Sequence, residues 1–302
     1  MGTLTIGSKL FDWGARTYVM GILNITPDSF SGDGLLPSSD PLAQAGLDSL
    51  TNAVQQAHRF ISAGADILDV GGESTRPGAQ PLSVDEELAR VVPVVRALSL
   101  RFPSTIISID TYKAVVAEEC CKVGAQLLND VWGLRADPAM PAFAARHNVP
   151  VILMHNRSTP ANAQVRERLG GRYVGMEYDN LVEDVKAELM ESVQLARTAG
   201  VPDEYIILDP GIGFGKTVEQ NLELLNRLDE IRALGFPVLL GPSRKSFIGY
   251  TLDLPPDQRL EGTAAAVSVG ITHGADIIRV HDVESMARVA RMTDAIVRRK
   301  AA

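Results

Sequence analysis

Polar side chains of two chemical kinds recur along this chain, each close behind a short apolar run. The first kind consists of carboxylates and amides, at Asn24, Asp110, Asn129 and Asp209. The second kind is basic and lies towards the C-terminus, at Lys245, Arg279 and His281. A carboxylate can accept two hydrogen bonds from a guanidine-like edge, and an amide can donate and accept beside it. Such a set suits a ligand with a polar heterocycle at one end and an anion at the other.

The apolar runs that precede these side chains predict the fold. They are rich in Ile, Val and Leu and lie at Tyr18–Leu23, Ile67–Val70, Thr105–Ile109, Leu127–Leu128, Val151–Met154, Tyr205–Leu208, Val238–Leu240 and Ile277–Ile278. Most are separated by stretches of helical composition, so a unit of strand, polar group and helix repeats eight times. This pattern predicts a (β/α)8 TIM barrel, in which residues at the carboxyl ends of the strands converge on one mouth. A doubly wound open sheet remains the structural alternative.

Two further patterns support one barrel domain spanning residues 1–302. The first segment, residues 1–17, reads as a β-hairpin with a Gly7-Ser8 turn that closes the bottom of a barrel formed by residues 18–302. A Gly also lies just before several strands, at Gly64, Gly124, Gly200 and Gly274. Each fits a helix that ends on a left-handed residue and turns tightly into a parallel strand.

Composition excludes several classes of function. The chain has 302 residues, a formal net charge of −8 and only 5% aromatic residues. The acidic balance argues against nucleic-acid or anionic-membrane partners, which need surplus Lys and Arg. Neither a signal peptide nor a membrane-spanning run is visible, so we expect a cytoplasmic protein. The adjacent Cys120 and Cys121 predict neither a disulfide nor a zinc site.

Three local motifs have competing interpretations. The run Asp209–Thr217 resembles a nucleotide P-loop but has Pro210 where the first Gly belongs, so we interpret it as a Gly-rich loop with Asp209 as its chemical group. Arg244 and Lys245 begin a predicted helix, where a basic pair has a reason to exist only if an anion lies near. His155 follows the fifth strand and either lines the mouth or is an ordinary buried histidine.

Seven motifs, in order along the chain, resemble those of the dihydropteroate synthase family of pterin-binding enzymes. The first two are Met20–Ser31 and Asp69–Gly78. The others are Ser108–Thr111, Leu128–Val131, Leu208–Gly211, Ser243–Lys245 and Arg279–His281. The resemblance covers the chain from about residue 18 to its end. It departs from the usual pattern at Ser31-Gly32-Asp33-Gly34, where the family more often has Ser-Asp-Gly-Gly.

The resemblance implies a transferase of folate biosynthesis, usually homodimeric and assisted by Mg2+. The family condenses 4-aminobenzoate with 6-hydroxymethyl-7,8-dihydropterin diphosphate, giving 7,8-dihydropteroate and pyrophosphate. The resemblance implies that the pterin is held by Asp110, Asn129, Asp209 and Lys245, between Met154 and Phe214. The diphosphate would be bound by Asn24, Arg279 and His281, with Asn24 also at Mg2+ and Arg279 also against the pterin. Thr75 and Arg76 would belong to the mobile second loop, and the aminobenzoate pocket would contain Phe30, Pro77, Phe214 and Ser243.

The ordinary form of the second motif, Ser74–Gly78, also predicts sensitivity to sulfonamides. Two other functions stay open at this point. A pterin-dependent methyltransferase would share the barrel and the pterin-binding carboxylate and amide, but not the basic set at Lys245, Arg279 and His281. A catalytically silent paralogue would bind pterin or a partner protein without turnover.

Overall fold

A computed structural model describes residues 2–25, 43–74, 81–174 and 176–298, with only the backbone of residues 43–48 and 160. The strands are β1 (Thr3–Ile6), β2 (Lys9–Asp12), β3 (Tyr18–Asn24), β4 (Ile67–Gly71), β5 (Ile106–Asp110), β6 (Leu127–Asp130), β7 (Val151–Met154), β8 (Ala163–Arg166), β9 (Gly170–Tyr173), β10 (Ile206–Asp209), β11 (Leu239–Leu240) and β12 (Ile277–Val280). The α-helices are α1 (Ala43–Ser62), α2 (Val84–Arg101), α3 (Ala114–Lys122), α4 (Met140–His147), α5 (Leu181–Ala199), α6 (Val218–Asn226), α7 (Leu228–Arg232), α8 (Ser246–Leu252), α9 (Leu260–Thr272) and α10 (Val283–Val297).

Eight of these strands form a parallel sheet in the order β10-β7-β6-β5-β4-β3-β12-β11. A parallel bridge between Leu208 and Val238 joins the first strand of this order to the last, and the Leu208 amide donates to the Pro237 carbonyl at 2.9 Å. This contact closes the sheet into a barrel, and the predicted (β/α)8 fold is confirmed. Because every strand runs the same way, all eight carboxyl ends meet at one mouth.

The bottom of the barrel is closed by the N-terminal hairpin of β1 and β2, as the sequence predicts. Leu4, Ile6, Phe11 and Trp13 of the hairpin segment are buried against one inward layer of barrel side chains. That layer consists of Tyr18, Met20, Ile67, Ile106, Leu127, Ile152, Ile207, Leu239 and Ile277. The Thr17 amide and hydroxyl also donate to Asp294 of α10, at 2.7 and 2.8 Å. The lower half of the barrel is therefore a buried apolar core.

The repeated glycines lie where the helix-to-strand pattern places them. Gly64, Gly124, Gly200 and Gly274 all have positive φ, between 97° and 122°. An L-side chain would be strained in this conformation, which explains why Gly recurs at the point where each chain segment turns into a strand. At the start of α2, Ser83 caps the helix with a complete capping box.

One feature of the fold was not predicted from the sequence. After β7, the strands β8 and β9 pair as an antiparallel hairpin outside the barrel. Its residues are mostly exposed or half-buried, so no apolar alternation marks it. Within the described ranges, no helix is both long and apolar enough to cross a membrane.

The hairpin plug makes a stability prediction that two adjacent residues test. Phe11 is fully buried, with its ring centroid 4.7 Å from that of Tyr18, whereas neighbouring Leu10 is 59% exposed. Phe11→Ala should lower the free energy of unfolding by about 3–5 kcal/mol through lost burial and the cavity it leaves. The matched control Leu10→Ala should change it by less than about 0.5 kcal/mol. Urea denaturation of both variants measures the difference, and equal losses would contradict the plug.

Candidate active site

Alternation along the strands places polar groups one layer above the apolar core. In β4, Ile67 belongs to the buried lower layer, and Asp69, two residues on, points the same way but nearer the mouth. The same spacing places Asn129 above Leu127 in β6 and Asp209 above Ile207 in β10. Barrel geometry therefore brings these polar side chains together from strands that are distant in sequence.

Arg279 of β12 occupies the centre of this polar layer. Its Nε donates to Asp69 Oδ2 at 2.6 Å, and its Nη2 donates to Asp110 Oδ2 at 2.6 Å. Asn129 Nδ2 donates to the same oxygen of Asp69 at 3.0 Å. One guanidinium thus bridges two carboxylates from adjacent strands, and an amide completes the set.

Burial shifts the proton affinities of these groups. Loss of solvent raises the pKa of Asp110 to about 7, although the Arg279 charge acts in the opposite direction. Burial also raises the pKa of Asp209, against the 2.7 Å hydrogen bond from the Gly211 amide and the charge of Lys245. Burial acts to lower the pKa of Arg279, but the charges of Asp69 and Asp110 outweigh it and raise that pKa. The mouth therefore holds a fixed cation close to two carboxyl groups, Asp110 and Asp209, whose pKa values burial raises.

An apolar wall stands beside the carboxyl groups. Val131, Met154 and Phe214 form a small buried cluster, against which the half-buried rings of Tyr112 and Trp132 pack. The ammonium of Lys245 lies 3.9 Å from the centroid of the Phe214 ring. Flat apolar surface next to paired hydrogen-bonding groups suits a planar heteroaromatic ligand.

The basic end of the mouth is built by the segments after β11 and β12. Ser243 Oγ lies 3.0 Å from His281 Nδ1 and accepts a hydrogen bond from the His281 amide at 3.1 Å. Arg244, by contrast, forms a two-pronged ion pair with Asp282, at 2.6 and 2.9 Å. The expectation that Arg244 and Lys245 act as a basic pair towards an anion is therefore corrected, because Asp282 already compensates the charge of Arg244.

Most residues singled out from the sequence meet at this mouth. Strand register pairs Asn24 with Gly71 and Gly71 with Asp110, so the half-buried Asn24 ends β3 at the same rim. The other members in the described residues are Asn129, Met154, Asp209, Phe214, Ser243, Lys245, Arg279 and His281. Phe30, Thr75, Arg76 and Pro77 lie outside the described residues.

Two charged residues at the site were missed from the sequence. Asp69 is fully buried and accepts from both Arg279 and Asn129, and its only sequence signal is a charge at an inward strand position. Lys216 is only 2% exposed and points under the Gly-rich loop, where its Nζ lies 2.9 Å from His155 Nδ1. His155 therefore contacts the back of that loop, as a buried histidine, and does not line the mouth.

The described residues include no group of three or more His, Cys, Asp or Glu side chains that could hold a metal ion. Asn24 offers one amide oxygen at the rim. Mg2+ is commonly held by one or two protein oxygens together with substrate phosphates and water. An oxygen donor at the rim fits a metal that arrives with a diphosphate.

Comparison with known proteins places this site in a family. Residues 20–281 match the pterin binding enzyme family. A dihydropteroate synthase of Clostridium beijerinckii is 50% identical over 297 residues, which is 98% of this chain and 100% of the relative.

Solved structures of dihydropteroate synthases have the same fold. The Clostridium difficile structure in the presence of pteroic acid has a TM-score of 0.84 and 47% identity, covering 96% of this chain and 100% of that one. A Yersinia pestis complex with a sulfonamide drug has a TM-score of 0.85 and 39% identity, covering 97% and 98%. A Xanthomonas albilineans structure with 4-aminobenzoic acid has a TM-score of 0.84 and 36% identity, covering 98% of each chain.

The raised pKa of Asp110 predicts a pH dependence of stability. The folded chain holds this proton up to about pH 7, whereas an ordinary aspartate releases it near pH 3.8. Between these values the folded state binds more protons than the unfolded state, so this group's contribution to stability falls as pH rises. Asp110→Asn removes the titration and should flatten the slope by on the order of 1 kcal/mol per pH unit in that window.

Urea denaturation of the wild type and the variant across the window measures this slope. The comparison cancels other groups with shifted pKa values, such as Asp130 and His155. Parallel stability curves for the two proteins would contradict the assignment.

Proposed function

The chain belongs to the dihydropteroate synthase family of pterin-binding enzymes, and from this premise we propose how its residues divide the reaction. As a transferase of folate biosynthesis it joins 4-aminobenzoate to (7,8-dihydropterin-6-yl)methyl diphosphate, giving 7,8-dihydropteroate and pyrophosphate. The observation that carries the division of roles is the fork of Arg279 between Asp69 and Asp110, beside Asn129. It offers a pre-formed hydrogen-bonding and charged surface where the strands end.

The pterin is held by Asp110, Asn129 and Asp209. The carboxyl groups accept hydrogen bonds from the N–H groups of the aminopyrimidine edge. The Asn129 amide both donates and accepts hydrogen bonds beside them. Met154 and Phe214 supply the apolar wall, with Lys245 above the Phe214 ring. Arg279 lies beside the pterin ring, so the ring sits between a cation and a wall.

The leaving diphosphate is bound at the basic end. Lys245, Arg279 and His281 supply positive charge or hydrogen-bond donors to its oxygens, and Ser243 orients His281 through the 3.0 Å contact. Asn24 is the protein ligand proposed for Mg2+. When bound, the metal would offset the negative charge of the diphosphate as it departs.

The chemistry follows from this separation of charge. The bond between the pterin methylene carbon and the diphosphate oxygen breaks, and the electron pair leaves with the diphosphate in a dissociative, SN1-like step. Positive charge develops on the methylene and the electron-rich dihydropterin, near Asp110 and Asp209. Burial raises the pKa of both groups, and the developing charge favours their ionised carboxylates, which in turn stabilise it. The amine of aminobenzoate then forms the carbon–nitrogen bond and loses a proton to solvent or diphosphate, so no strong protein base is needed.

The aminobenzoate site is proposed next to the departing diphosphate. Phe214 and Ser243 provide its described part, at the edge of the apolar wall. Phe30, Thr75, Arg76 and Pro77, which lie outside the described residues, complete it in this proposal. Residues that cover the reacting atoms would exclude water, which competes with the amine for the cation.

A homodimer formed through the outer helices α9 and α10 also belongs to the proposal. Their surfaces expose large apolar side chains, with Val269 at 39%, Met292 at 63% and Ile296 at 64% exposure. Exposed apolar side chains on adjacent helices favour a second copy as the covering partner. Light scattering of the purified chain measures the mass of the assembly directly.

We also propose that this protein acts in the cytoplasm, which cell fractionation tests.

Lys245→Ala tests the assigned activity and site together. Pyrophosphate release in the presence of the pterin diphosphate, Mg2+ and aminobenzoate should fall about 100-fold or more in kcat/KM, because a charge next to both ligands is lost. Lys122→Ala, an exposed lysine on α3 paired with Glu118 and Glu119, is the control and should keep wild-type rates. No release from the folded wild-type chain would favour a pterin-dependent methyltransferase or a silent pterin-binding paralogue.

Sulfonamides should inhibit this chain competitively with aminobenzoate. Like aminobenzoate, they carry an aryl amine opposite an acidic group. A related dihydropteroate synthase, from Yersinia pestis, has been solved as a complex with a sulfonamide drug. A sulfonamide should raise the apparent KM for aminobenzoate several-fold at constant kcat in steady-state assays. An inhibition constant far above the KM for aminobenzoate would contradict this prediction.

A further inference from the structure

The lysine of the Gly-rich loop has no role in the reaction described above. Its motif, Gly213-Phe214-Gly215-Lys216-Thr217, looks like a phosphate-binding sequence, yet Lys216 is 98% buried and lies beneath the loop. We propose that Lys216 is a positioning residue for the pterin. Hydrogen bonds from its amine hold the 209–217 loop in one conformation, and this fixes the positions of Asp209 and Phe214. This inference rests on the proposed function, because it names what one residue does for the same pterin site.

The amine of Lys216 has three acceptors within hydrogen-bond distance. Its Nζ donates to the carbonyls of Gly211 and Phe214, each at 3.0 Å, and lies 2.9 Å from His155 Nδ1. An ammonium carries three donors and no acceptor, so these groups satisfy it completely. Two of the three belong to the loop itself, so the side chain ties the loop into a ring.

His155 is suited to be the third acceptor. Burial lowers the pKa of His155 to about 4, so the ring is neutral and can accept at Nδ1. Its proton then resides on Nε2, which lies 3.2 Å from Glu188 Oε2. Burial lowers the pKa of Lys216 to about 7, against the charge of Asp209, which acts to keep the amine protonated.

Close backbone packing also shapes this loop. A Cβ added at Gly211 would lie 1.9 Å from the His155 carbonyl oxygen, and one at Gly215 would lie 2.5 Å from the backbone of Arg157 and Ser158. The loop backbone is thus laid directly on the segment after β7. A side chain at either glycine would push the loop away from that segment.

Fixing the loop fixes two groups of the pterin site. Asp209 begins the loop and accepts from the Gly211 amide at 2.7 Å, and Phe214 offers both its ring to the wall and its carbonyl to Lys216. Asn221 of α6 holds the outer side, accepting from the Gly213 amide at 2.6 Å. Lys216 also places a positive charge behind Asp209, which favours the ionised carboxylate.

Lys216→Met is the test, since methionine fills similar space without the amine. The equilibrium Kd for the pterin diphosphate, read from quenching of pterin fluorescence, should rise about 10-fold or more because hydrogen bonds from a charged donor are lost. The KM for aminobenzoate at saturating pterin diphosphate should rise clearly less than the Kd for the pterin diphosphate. Only Phe214 of that pocket depends on Lys216, whereas the pterin loses the placement of both Asp209 and Phe214. Lys122→Met serves as the matched surface control and should change neither constant.

A pair of variants at His155 keeps the test decisive if Lys216→Met does not fold. His155→Gln retains an acceptor for the amine and should bind the pterin diphosphate within about three-fold of wild type. His155→Leu removes the acceptor while leaving Lys216 in place, and should weaken pterin binding about 10-fold. Equal binding by these two variants would overturn the proposal.

Other outcomes separate the alternatives. Unchanged pterin binding in folded Lys216→Met, or equal losses for pterin and aminobenzoate, would overturn the positioning role. Weakened binding of inorganic pyrophosphate with unchanged pterin binding would instead assign Lys216 to an anion. If wild type binds the pterin in a Lys216-dependent way but releases no pyrophosphate, the proposed function fails and the positioning role stands.

Discussion

The interaction on which the mouth depends is the guanidinium of Arg279 between the carboxylates of Asp69 and Asp110. Removing two carboxylates from water is costly unless a cation lies within hydrogen-bond distance of both. The fork meets that condition and joins the fourth, fifth and twelfth strands across the top of the barrel. Its charges are held in place by the fold, so a ligand finds them already oriented and need not order them.

Strand alternation explains why the barrel can carry so much charge. The hairpin and the lower layer of aliphatic side chains form a core that excludes water, and this core fixes the strand positions. The next inward layer can then be polar, with only its upper side open to a ligand. Inside the barrel, one end is therefore apolar core and the other carries the chemistry, as parallel barrels commonly arrange them.

Much of this could be predicted from the sequence because two periodic signals agree. Apolar runs ending on Asp110, Asn129 and Asp209 predict both the strands and the mouth, and the recurrent glycines mark the helix-to-strand turns. Asp69 escaped notice because it lies inside its run and does not end it. Lys216 looks like a phosphate ligand because it follows a Gly-rich run. That local motif does not determine whether the side chain points outward or beneath the loop.

Both described ends of the chain lie at the plugged end of the barrel. The N-terminal hairpin covers it, and at the end of the last helix the Arg298 side chain donates to the Ala275 carbonyl, just before the twelfth strand begins. A polypeptide attached at either end would therefore emerge on the face opposite the mouth. The architecture is suited to fusion: a second catalytic domain could be joined to this one without obstructing substrate entry or product release.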